Sequence, residues 1–236
     1  MNRRMTRLGT VVAVVASTTF GMSVAAGALG GASQQCKAVD AKPVVHAAAA
    51  RREATLATLV AKLQARKDPF GMNGAQIAAL QSASTAISAL DAKIQSTCYP
   101  TRAAFHADAS TLYTNYRVYW LRVPQSHAIE AADHLSEART KLGKVATKLG
   151  TLVGNNAQAK IDLDAMNTAL GSVDAMLGVA PTPGLSIAAV RDLAPAADMT
   201  ADDAALQTAH TDLVAIRQNL EQARADGQKV ISDLQG

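Results

Sequence analysis

The apolar residues of this chain recur at helical spacing almost from end to end. Val45, Leu56, Leu59, Val60 and Leu63 fall three, four and seven apart, one face of a helix. Pro43 suits a first turn, so the pattern predicts a helix over 43–67. Asp68-Pro69 and Gly71 break it, and Asn73 is placed to cap the next helix. That second helix carries Ile77, Leu80, Ile87, Leu90 and Ile94 and ends before Cys98-Tyr99-Pro100. A third follows Pro100, with Phe105, Ala109, Leu112, Tyr116 and Tyr119 on one stripe, until Pro124 breaks or kinks it.

The second half of the chain repeats the theme in heptads. A fourth helix through Val153 has Leu135, Leu142 and Leu149 seven apart, with Ala138, Val145 and Leu152 between them, a coiled-coil-like seam. Gly143 and Gly150 each cost up to about 1 kcal/mol against alanine in a helix interior, which close approach of a neighbouring backbone would offset. Gly154-Asn155-Asn156 reads as a turn. A fifth helix presents Leu163, Met166, Leu170, Val173 and Leu177 and ends at GVAPTPG. A linker with a short helix near Leu185–Leu193 leads to Thr200-Ala201-Asp202-Asp203, a capping-box start. The last helix carries Leu206, Leu213, Leu220 and Leu234, with Ile216, Ala223 and Val230 between, and at about 1.5 Å per residue reaches about 50 Å. Short turns make neighbours antiparallel. The expected fold is all-α, an elongated up-and-down helical bundle of five to six long helices with coiled-coil-like seams. Its expected parts are a leader over 1–32, a helical hairpin over 33–99, and a bundle over 100–236 with a Pro/Gly linker at 178–199.

The first 32 residues change where this bundle is expected to work. Arg3, Arg4 and Arg7 precede an uncharged apolar stretch from Leu8 and then small residues, the layout of a secretory signal peptide. Ala26/Ala28 and Gly30/Ala32 satisfy the small-residue requirement, so a mature chain of about 205 residues is expected to begin near Leu29 or Ser33. Thr and Ser interrupt the stretch, against a retained membrane anchor. Ser33-Gln34-Gln35 before Cys36 is too polar and bulky for a lipoprotein signal.

In an exported chain two cysteines signal a disulfide. Residues 36 and 98 lie equally far from residue 67, where the first helical break begins, so Cys36 and Cys98 are expected to meet at the open end of the hairpin. The chain-entropy picture gives such a loop roughly 4 kcal/mol.

Composition narrows the functional classes. The chain is 49% hydrophobic but only 3% aromatic, and about a fifth alanine, which favours helix. Its formal charge of +4 falls to about +1 once the three leader arginines are set aside, a poor footprint for nucleic-acid binding. Charge is uneven, with 15 basic and 8 acidic residues over 33–153 against 5 and 11 over 154–236. Either the two parts pack on each other, or a basic face meets an anionic envelope.

Candidate chemistry is sparse. His127, Glu130 and His134 share one helix face at i, i+3 and i+7, a set that could bind zinc or copper, although the wider ligand pattern of di-iron bundles and HExxH are missing. The bland alternative is a solvated flank of the leucine seam. Tyr116, Arg117, Tyr119, Trp120 and Arg122 crowd one tract, where they either form an interface hot spot or plug the junction of two bundles. GxSxG and phosphate-binding glycine loops are missing, both cysteines are assigned to the disulfide, and no cofactor is expected. A helical enzyme of the chorismate mutase type, with scattered Arg, Lys and Glu, stays open. YRVYWLRVP followed by HAIEAADHL, behind a signal-peptide pattern, resembles uncharacterised secreted alanine-rich helical proteins of actinobacteria. The resemblance implies an envelope or extracellular location and carries no activity.

The leading expectation is a non-enzymatic secreted or envelope protein acting by protein interaction or as a spacer, as a single chain or a homo-oligomer. The alternative is a binding protein holding a small ligand, lipid or metal near Trp120.

Overall fold

A computed structural model describes residues 40–194 and 198–235. The expected leader and Cys36 lie outside them, and the expected disulfide with them. The described residues are an all-α bundle, and none of its helices is long and apolar enough to cross a membrane.

Helices α1 (Lys42–Gln64) and α2 (Asn73–Ser96) form the expected antiparallel hairpin. Val45, Leu56, Leu59 and Leu63 face Leu80, Ile87, Leu90 and Ile94, all buried. At the open end, Lys42 Nζ donates to the carbonyls of Gln95 and Thr97 at 2.9 and 2.8 Å. At the turn, the cap differs from the expected one. Asp68 accepts from the Met72 and Asn73 amides through its two carboxylate oxygens, which frees the Asn73 side chain for the interior.

Helix α3 (Arg102–Thr114) buries Phe105, Ala109 and Leu112, then stops. Tyr119 does not continue its stripe. Arg117 takes a left-handed conformation (φ 41°, ψ 42°), and Val118–Arg122 forms a π-helical turn that runs directly into α4 (Val123–Leu152). Pro124 sits in the first turn of α4 and does not break it. The proline ring crowds the carbonyl four residues back, which explains the wider i→i+5 ladder at this point.

Helices α5 (Ala157–Leu177) and α7 (Met199–Gln235) complete the bundle. Arg139 on α4 pairs with Asp174 on α5, and Asn156 at the start of α5 donates to the Asp233 carbonyl of α7. Both pairings make α5 antiparallel to its neighbours, so α4 and α7 run parallel. The predicted α5 stripe is buried throughout. Gly227 of α7 lets Met166 pack against it, with the sulfur 3.2 Å from where a Cβ would stand. The linker folds back through a two-residue ladder, Gly178–Val179 against Thr182–Pro183, into α6 (Leu185–Arg191). Gly178 is left-handed (φ 86°), and a Cβ there would strike the Thr182 carbonyl.

Three expectations for the helices are corrected. Val145 and Leu152, placed in the α4 seam, are 40% and 63% exposed, because the buried stripe is Ile129, Ala132, Ala146 and Leu149. No neighbouring backbone approaches Gly143 or Gly150. They line instead an open groove between α4 and α5, spanned by the Arg139–Asp174 pair. At α7 the cap is Asp198, whose side chain accepts from the Thr200 amide, while Asp202 turns inward.

Hairpin and bundle belong to one compact unit. The ion pairs Arg117–Asp202 and Arg139–Asp174 cross between the basic and acidic parts of the chain.

Candidate functional site

The Tyr116–Arg122 tract is split between interior and surface, with the roles reversed from a simple aromatic plug. Arg117 and Arg122 are buried, Tyr119 and Trp120 are 47% and 67% exposed, and Tyr116 is partly buried with its hydroxyl donating to the Ala86 carbonyl. A π-turn spreads successive side chains by less than 90°, so two neighbouring rings reach solvent while Val118 and Leu121 fill the core.

The arginines are held by a polar layer. Arg117 Nη1 donates to Asp202 Oδ2 at 2.5 Å, with side-chain exposures of 4% and 2%. Arg122 Nη1 donates to Gln125 Oε1 at 3.0 Å. The Gln125 amide bonds the Val190 carbonyl below α6, and Gln76 of α2 donates to Gln125 and Ser126. Next to them Asn73 Nδ2 donates to Asp133 Oδ2 at 3.1 Å. Burial raises the Asp133 pKa to about 6, against the Asn73 hydrogen bond. Burial holds the Arg122 guanidinium below its ordinary value, with the Asp202 charge pulling the other way. This layer seats the hairpin on α4 and fixes the π-turn in its left-handed entry, a conformation that costs a non-glycine residue about 1–2 kcal/mol.

Outward from this layer lies a groove of about 830 Å³ between α4 and α7. Its floor is apolar, formed by Ala128, Ala131, Leu135, Leu206 and Leu213. Trp120 and Pro124 stand at one end with Asp203. Three of the chain's five histidines, His127, His134 and His210, stand on its two walls, and Arg217 closes the far end. The size and mostly apolar lining, with a few polar groups, are those of a small-ligand site.

The proposed metal set does not assemble. Arg66, in the turn after α1, donates to Glu130 Oε1 at 2.7 Å and reaches His134 Nδ1 at 3.1 Å. A guanidinium has no acceptor, so in this contact Nδ1 accepts and Nε2 is the ring's donor. Glu130 is neutralised by an arginine, and His134 presents a donor to the groove where a metal would need a lone pair. Among the described residues no group of three or more His, Cys, Asp or Glu is placed to hold a metal ion.

A second exposed cluster lies on the hairpin side of the π-turn. The Arg52 guanidinium, buried in α1, sits 4.4 Å from the Tyr113 ring centre and 5.2 Å from that of Tyr119.

Sequence reasoning found Trp120, His127 and His134, and the arginines Arg117 and Arg122, but missed the α7 wall and the partners that make the arginines part of a polar layer. The missed layer had a visible signal. Gln76 and Asp202 stand in phase with apolar stripes, four and seven residues from Leu80 and Ala209. Polar residues at seam positions mark places where a core is bridged rather than dry. No family model, curated protein or solved structure matches the chain.

Proposed function

We propose that this chain is an exported, non-enzymatic helical-bundle protein of the cell envelope or exterior that binds an apolar ligand in the α4–α7 groove. The observation that carries the reading is the exposed Trp120 at the mouth of an apolar groove of about 830 Å³. A tryptophan two-thirds exposed loses little stability by standing there and gains contact area when a ligand covers it. The signal-peptide pattern supports export, and the closely tied open end of the hairpin supports the Cys36–Cys98 bond, which belongs to this reading.

A neutral apolar fluorophore, N-phenyl-1-naphthylamine, tests it. Binding shifts Trp120 emission to the blue and transfers excitation to the probe, and Trp120→Phe removes the transfer without removing binding. No saturable binding sinks the reading.

A second reading, docking of a protein partner, is favoured by the Tyr113–Arg52–Tyr119 cluster. Tyrosine and arginine dominate interface hot spots, and the buried guanidinium holds both exposed rings in place.

A further inference from the structure

We infer that the groove's ligand is a single-chain amphiphile with an anionic head, a long-chain carboxylate, bound with its tail toward Trp120 and its head at the His134–Arg217 end. The inference rests on the groove reading above and adds polarity and ligand class.

The groove is electrically polar along its length. Helices α4 and α7 run parallel, so lining residues of low number share one end and those of high number the other. Asp203 stands with Trp120 and Pro124 at the first end, and Arg217 with His134 and Leu135 at the second. Of the two lining residues that carry a full charge, the acidic one stands at the tryptophan end and the basic one at the other.

The second end also holds oriented donors. Arg66 occupies His134 Nδ1, which leaves the Nε2–H to donate. Arg217 uses only Nε on Glu221, at 3.0 Å in an exposed i,i+4 pair, and such pairs are weak. Its terminal nitrogens remain for a carboxylate, whose planar geometry suits a guanidinium. His210 stands on the α7 wall between the two ends.

Length and section fit one alkyl chain. From Asp203 to Arg217 the groove follows 14 residues of helix, about 21 Å at 1.5 Å per residue. One lipid tail spans half of a hydrocarbon core of about 30 Å, so about 15 Å of chain plus a head fills that length. The groove volume of about 830 Å³ over about 21 Å leaves a mean section of about 40 Å².

Displacement of N-phenyl-1-naphthylamine from the full mature chain tests the inference, with palmitate, 1-hexadecanol and dodecyltrimethylammonium as competitors. Palmitate is expected to compete at least tenfold better than hexadecanol, and the cation worst of the three. Arg217→Gln and His134→Gln are each expected to weaken palmitate about tenfold, and to weaken it more than they weaken hexadecanol or the probe. Equal competition by palmitate and hexadecanol, or Arg217→Gln without effect on palmitate, overturns the anionic head and leaves the groove reading standing. Failure of the probe itself to bind overturns the groove reading. Helical circular dichroism of each variant identifies any loss that comes from unfolding, and palmitate affinity retained in both folded variants counts against the inference.

Discussion

The two halves of the α4–α7 pair are built on opposite terms. In the far half, Ala146 and Leu149 of α4 meet Met166 of α5 and Ala223, Gly227 and Val230 of α7, a mostly dry core with Gly227 admitting the methionine and with one buried carboxylate, Asp226, held by Gln222 and Lys229. In the near half, the interior holds Arg117, Arg122, Gln125, Ser126, Asp133 and Asp202, and the exterior opens into a groove. The dry half can be assembled from leucine-like side chains in many combinations. The wet half depends on its pairings, since a buried polar group without its partner is costly, and Arg117 Nε and Nη2, Arg122 Nε, Asn73 Oδ1 and Asp133 Oδ1 still stand without a partner among the described residues. The difference separates scaffold from site. Packing defines the scaffold, and a costly polar layer defines the surface on which Trp120 is presented.

The sharpest way to break this contrast is to strip one partner from the buried ion pair. Asp202→Ala strands the Arg117 guanidinium and is expected to cost about 3–5 kcal/mol in urea unfolding. The double variant Arg117→Leu/Asp202→Leu should recover most of that loss. Recovery of stability with loss of probe binding would show that the layer serves the groove rather than the fold. In the dry half Met166→Ala opens a cavity and is expected to cost about 2–5 kcal/mol, with ligand affinity intact.

How far the sequence went follows the same division. The stripes of α1, α2, α5 and α7 were legible because apolar period alone determines them, and Leu163 through Leu177 emerged as read. The α4 seam was misassigned because Leu135, Leu142 and Leu149 run in a heptad while the buried face drifts toward Ile129, Ala132 and Ala146. Straight helices accumulate this drift against a strict seven-residue repeat. The π-turn was illegible, since Pro124 alone does not say whether a helix ends or widens. The α7 wall of the groove was illegible too. His210 and Arg217 lie about 80 residues from His127 and His134 along the chain, and only the parallel packing of α4 and α7 brings them together.

Protonation gives a gentler probe of the wet half. Burial raises Asp133 to about 6, above the ordinary value of 3.8. A carboxyl with a raised folded-state pKa binds its proton more tightly when folded, so it weakens the fold as pH climbs from about 4 to about 6 and holds that deficit above. Asp133→Asn keeps an acceptor for Asn73 and is expected to raise stability by about 1–2 kcal/mol at pH 7.5. At pH 4 the gain should vanish. Thermal unfolding at both values checks it, and an equal gain at both would assign the effect to something other than this charge.

The smallest expected effect is on the groove's most visible residue. Trp120→Ala removes a side chain 67% exposed and should shift stability by less than about 0.5 kcal/mol. Its consequence should appear in ligand affinity instead, a split that a merely structural tryptophan would not show.

The account's central claim is that one groove, and not the other exposed faces, is the binding surface. Backbone amide shifts of the isotope-labelled protein titrated with palmitate test it most directly. The predicted result is a set of perturbations confined to residues 120–135 of the π-turn and α4 and 203–217 of α7. Perturbations centred on Tyr113 and Tyr119, or on the α4–α5 groove around Arg139 and Gly143, would contradict it.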